Sequence, residues 1–202
     1  ESSTAPSSTT SQRSGKRARL VRPYPIHTLE VALAVARAIQ ESNAGLPFAR
    51  TDLAGAMGTT PSSSAYIMRL NSSTKYGLTR GGYNADVISL TPLGQSIVAP
   101  KGHGEARASL VAAATAPDIF ARFYELLDRR QLPEDTYAQN TLNRELGVRL
   151  DLVAECLDII KANGLYTGIM QRNGDSIRVV LAEAREPLAA DRAKPNEHVP
   201  DV

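Results

Sequence analysis

Residues 59–82 read TTPSSSAYIMRLNSSTKYGLTRGG. A proline is tolerated in the first turn of a helix, and the serines after Pro61 suit a helix start, so the stretch predicts a helix over 62–72. Tyr76-Gly-Leu-Thr79 then leads into a hairpin. Its strands are Thr79-Arg80 and Val87-Ile88-Ser89-Leu90, around Gly81-Gly-Tyr-Asn-Ala-Asp86, a loop with turn chemistry.

Working upstream, Thr28 is placed to cap a helix over 29–43, with Leu29, Ala32, Leu33, Ala36 and Ile39 as its apolar stripe and Gly45 as its stop. Thr51 or Asp52 begins a second, short helix through Leu53-Ala-Gly-Ala-Met57, closed by Gly58. A short helix, a glycine-containing turn and a longer helix make a helix-turn-helix unit. Downstream, Thr91-Pro92 starts a helix over 93–98. Three helices followed by a hairpin give a winged helix over residues 23–100.

The pattern partly repeats. Gly102-His-Gly104 reads as a linker, followed by helices over 106–114 and 118–130. Further helices are expected over 136–145 and 150–162, the last stopped by Asn163-Gly164. Strands at 165–170 and 176–181 flank Asn173-Gly174-Asp175, and Asn-Gly between alternating segments is a strong hairpin signal. Residues 101–183 therefore read as a second, diverged winged helix. The fold class expected is mainly α with small β-hairpins (α+β), as two tandem winged-helix domains between disordered tails. Those tails are 1–22 and 184–202, both poor in large apolar residues.

The formal net charge of +2 is unevenly distributed. Residues 1–22 hold five Lys/Arg against one acid, or +4, and 23–100 hold five against four, or +1. Residues 101–183 hold ten against twelve, or −2, and the final nineteen hold three against four, or −1. The basic character thus sits in the N-terminal arm, where Lys16, Arg17 and Arg19 are candidates for phosphate contacts. A single cysteine, Cys156, excludes an intrachain disulfide and fits a reducing cytoplasm. Its neighbours place it on the apolar side of a helix, as a buried structural thiol. His27, His103 and His198 are scattered, and no Cys/His cluster, phosphate loop or nucleophile–base set is present. The expectation is a non-enzymatic protein without metal or cofactor. No stretch approaches the roughly 20 apolar residues of a membrane span, and Glu1-Ser-Ser-Thr lacks the apolar core of a signal peptide. The chain opens without Met, as a piece of a longer protein would.

At about 100° per residue, Ser62, Tyr66, Arg69 and Ser73 share one side of the third helix and are expected to face outward. Ser64, Ile67, Met68, Leu70 and Asn71 fill much of the rest. An outward Arg can bond bidentately to guanine in a major groove, and serines at a helix N-terminus, Ser62 and Ser63 here, suit a phosphate. Lys75 and Arg80 extend this footprint toward the wing. In the second unit, Asp151, Glu155 and Asp158 form an acid stripe that would repel DNA, so residues 101–183 are read as an assembly or partner surface.

Thr51-Asp-Leu-Ala54, Met57-Gly58, Pro61-Ser-Ser63, Tyr76-Gly-Leu-Thr79 and Ile88-Ser-Leu-Thr-Pro-Leu-Gly94 together resemble bacterial and archaeal winged helix-turn-helix regulators of the MarR and PadR type. The resemblance covers about residues 26–100 and extends to uncharacterised prokaryotic proteins with paired winged helices. It implies that 62–73 is a recognition helix and 80–86 the wing. Arg-over-Lys usage in an Ala-rich chain suggests a GC-rich bacterial genome. The function expected is that of a cytoplasmic, nucleoid-associated transcription regulator, bound to double-stranded DNA through the first unit with help from the arm. It is expected to dimerise, or to hold a protein partner, through residues 101–183. The alternative is an adaptor whose winged helices mediate protein–protein assembly.

Overall fold

The computed structural model describes residues 22–185. Lys16, Arg17, Arg19 and the expected disordered tails lie outside these residues, apart from Arg22 at one edge and 184–185 at the other. Among the described residues the chain is mainly helical, with two small antiparallel sheets.

Helix α1 (Leu29–Asn43) begins where the Thr28 hydroxyl accepts a bond from the Val31 N–H. It ends where Ala44 (φ 50°) and Gly45 (φ 76°) enter left-handed conformations. Strand β1 (Phe48–Ala49) leads directly into α2 (Arg50–Ala56), and a turn containing Pro61 leads into α3 (Ser64–Lys75). Strands β2 (Thr79–Arg80) and β3 (Val87–Leu90) form the hairpin, and α4 (Pro92–Val98) follows with Thr91 as its cap. The sheet order is β1-β3-β2, with Phe48 opposite Ile88 and Thr79 opposite Leu90. β1 was not expected, because two residues carry no alternation to read. Helix α3 starts two residues later than expected, so Pro61 belongs to the preceding turn.

In the second half come α5 (His103–Ala114), α6 (Asp118–Leu126), α7 (Asp135–Arg144), a 3₁₀ turn (Leu150–Leu152) and α8 (Val153–Thr167). The hairpin β4 (Met170–Asn173) and β5 (Ser176–Val179) and a short α9 (Leu181–Arg185) complete it. Four expectations need correction. Gly102-His-Gly104 is not a linker, because Gly102 is the cap of α5 and His103 its first residue. Helix α6 stops before residue 130 because Arg129 turns left-handed (φ 62°) and the chain bonds along β5: Arg129 to Val179, and Leu132 to Ile177. Asn163-Gly164 does not end α8, which runs on to Gly168 (φ 79°), so 165–167 is helix and not strand. Asn163 is fully buried there; its Oδ1 accepts from the Leu29 N–H (2.7 Å) and its amide donates to the Tyr76 hydroxyl (2.8 Å). Gly164 leaves room for the Met170 side chain, which a Cβ would strike. Finally, residue 181 opens α9 instead of closing a strand.

The boundary expected at residues 100/101 falls between α4 and α5, but the core does not stop there. One apolar cluster joins Tyr24, Leu29, Leu33, Tyr76 and Leu78 to Phe120, Phe123, Leu142, Cys156 and Ile160. The Phe120 ring lies 6.0 Å from that of Tyr24 and 6.3 Å from that of Tyr76. A smaller cluster of Val35, Ile39, Leu53, Ala54, Tyr66, Leu70 and Ile88 underlies α2, α3 and β3. No helix among the described residues is long and apolar enough to cross a membrane.

Candidate nucleic-acid interface

Helix α3 has a serine-led start because its first turn borders solvent. Ser62 and Ser64 are exposed and Ser63 occupies the cap position. The Ser63 hydroxyl accepts no bond from the first turn, which leaves those amides to solvent or an anion.

The phase of the helix differs from the sequence expectation. Tyr66 is 1% exposed, and its hydroxyl donates to the Arg50 carbonyl (3.1 Å). Ser73 is fully buried and accepts a hydrogen bond from the Thr79 hydroxyl (3.0 Å). Neither can reach a ligand on the outside. The physical reason is size and pairing: Tyr66 fills the smaller core beside Leu70, while small Ser72 and Ser73 fit where backbone approaches closely, Ser72 accepting from the His27 N–H. Arg69 is half-buried on the flank, close enough to His27 to hold that imidazole's pKa down, although burial is the larger cause. Among the described residues the enclosed Nε2 atom of His27 has no hydrogen-bond partner.

What α3 exposes is Ser64, Ala65, Met68, Asn71, Thr74 and Lys75. Ser64, Met68, Asn71 and Lys75 recur at i, i+4, i+7 and i+11, which makes one continuous stripe. At the end of the stripe, the Lys75 ammonium donates to the carbonyls of Arg22 (2.8 Å) and Tyr24 (2.9 Å). Burial, then the nearby Arg22, lowers its pKa. Lys75 is therefore tied to the incoming N-terminal segment, and that segment enters the fold beside the stripe.

The loop 81–86 borders the same helix. The Thr74 hydroxyl lies 3.3 Å from the Gly81 carbonyl, and Arg80 is exposed on β2. Arg50 positions this loop, donating from its guanidinium to the carbonyls of Ala85 (3.2 Å) and Pro61 (3.1 Å), while its own N–H binds the Asp86 carbonyl. One side chain thus joins the loop to the turn that precedes α3. No periodicity marks Arg50, so sequence reading passed it over; Met68 and Asn71 were missed because Tyr66, which is buried, was placed on the outward side with Arg69.

The acid stripe of α8 is only partly free. The Arg22 guanidinium binds Glu155 through two bonds (2.6 and 3.0 Å), and the Tyr24 hydroxyl lies 2.9 Å from the same carboxylate. These partners, the Arg22 bond first, hold Glu155 below the usual carboxylate range. Asp151 pairs with Arg149 (3.0 Å) and Asp158 is exposed. Cys156 is buried, and that burial pushes its thiol up to about 12, which leaves it unreactive. Among the described residues no group of three or more His, Cys, Asp or Glu is placed to hold a metal ion. No protein-family model, curated protein or solved structure matches this chain.

Proposed function

We propose that the chain is a DNA-binding protein, a transcription regulator that lays α3 in the major groove of duplex DNA as the recognition helix of a winged helix, with the 81–86 loop as wing. The observation that carries this reading is the uncovered stripe of α3, bordered by a loop that Arg50 holds against the helix start. The order helix, short strand, helix, helix, hairpin supports the same reading, as does a second half arranged as helices followed by a hairpin. Phosphate contacts fall to Ser62, Ser63 and Arg80, and to the arm residues Lys16, Arg17 and Arg19. Arg19 precedes Arg22 by three residues, a reach of at most about 10 Å, so the arm joins the fold within range of any duplex on α3. The second half serves assembly, and a dimer would place two α3 helices on successive half-sites.

A second reading, an adaptor that binds protein partners, is favoured by the exposed apolar side chains of α3 and the hairpin: Met68, Tyr83 and Val87, at 36%, 48% and 48% exposure. Titration of labelled duplex DNA against salt separates the two. On the DNA reading, binding weakens steeply with salt, and removing residues 1–21 flattens the slope by up to about one unit per lost phosphate contact. Absence of duplex binding even at about 50 mM salt gives the adaptor reading the field.

A further inference from the structure

The chemistry of the exposed stripe says which base pairs it suits. Between its ends, Ser64 and the tethered Lys75, it presents one thioether and one carboxamide, with the Ala65 methyl beside them. Arg69, the guanidinium on this helix, lies more than about 100° around from the centre of the stripe, half-buried beside His27. In the major groove a guanidinium matches guanine O6 and N7, an amide matches adenine N6 and N7, and apolar groups match the thymine methyl. No cation at the middle of the stripe is aimed at guanine. The Asn71 side chain makes no hydrogen bond within the protein among those described, so its amide donor and acceptor are both available to a base edge.

We infer that α3 reads A·T pairs in the major groove, with Asn71 bonding adenine and Met68 with Ala65 packing on thymine methyl groups. This rests on the DNA-binding reading above and adds a base preference to it. The site is selective through one amide–adenine hydrogen-bond pair and methyl contact, not through charge. Affinity is supplied separately, by the arm and Arg80 on the phosphates.

The test is a selection from a randomised duplex pool with the full chain at about 50 mM salt, followed by modified duplexes of the enriched sequence. Replacing thymine by uracil removes only the major-groove methyl, and is expected to weaken wild-type binding about fourfold per contacted methyl and to weaken Met68→Ala less, since only the Ala65 contact is left to lose. Replacing adenine by 7-deazaadenine removes the N7 acceptor, and is expected to weaken wild type but not Asn71→Ala, which itself loses about five- to 150-fold in discrimination. Both residues are exposed, so the variants should melt as wild type does, which circular dichroism checks. Enrichment of G·C sites, or of A·T sites indifferent to both base changes, overturns the inference while leaving DNA binding in place. Failure to enrich any duplex overturns both.

Discussion

At the scale of single residues, Tyr66 decides which face of α3 meets solvent. Its ring is part of the smaller core and its hydroxyl satisfies the Arg50 carbonyl at the start of α2. Tyr66→Phe keeps the ring and loses the bond, so it should cost about 1 kcal/mol in urea unfolding, whereas Tyr66→Ala should cost about 3–5 kcal/mol by leaving a cavity. A near-zero effect of the alanine variant would mean that the ring is not packed. Acid should also destabilise the fold, in two steps. His27 is held below its ordinary 6.5 by burial, so the unfolded chain binds the extra proton first and stability falls as pH drops from 6.5 through the lowered folded value. Glu155 is held below its ordinary 4.5, so its contribution is present above that pH and is lost further down, as pH falls through the folded value. Melting temperature followed from pH 7 to pH 3 should therefore decline in the first window in wild type but less in His27→Gln, and decline less in the second in Glu155→Gln.

At the scale of elements, α4 is fitted against the hairpin by the absence of a side chain. A Cβ on Gly94 would collide with the backbone carbonyl of Leu78, which cannot yield as a side-chain tip can. Gly94→Ala should cost about 1–3 kcal/mol, more than Gly164→Ala, where the obstacle is the flexible Met170 side chain; chemical unfolding of the pair decides it. The elements of the first half were legible in the sequence because their punctuation is local. Thr28 and Thr91 cap helices, and glycines close turns, through bonds made within a few residues. The misread elements are those set by distant partners. Asn163-Gly164 looks like a stop, yet Asn163 spends its side chain on Leu29 and Tyr76, and residues 129–132 leave α6 to bond with β5. The candidate site was half legible for the same reason: the serines and Arg80 are marked by local composition, whereas the burial of Tyr66 and Ser73 and the role of Arg50 follow from tertiary contacts. Periodicity alone cannot rank Tyr66 against Met68 for the inside, since both are large and partly apolar.

At the scale of the whole molecule, the larger core joins both halves, and Tyr24 and Asn163 carry hydrogen bonds between them. Unfolding should accordingly be a single transition: hydrogen exchange of core amides in α1 and α8 should report the same opening free energy, and a stable intermediate with only one half protected would contradict a shared core. The same joint anchors the arm. Arg22, Tyr24 and Lys75 fix the start of the described chain at the end of the α3 stripe, the face proposed to meet DNA.

That face can be observed directly, because the chain has three methionines: Met57, Met68 and Met170. In methyl-labelled protein the Met68 resonance, from the middle of the exposed stripe, should shift and broaden on addition of duplex DNA at low salt. The Met170 resonance, from a side chain 2% exposed in the larger core, should stay in place. A Met68 signal unmoved by DNA that demonstrably binds the protein would contradict the account.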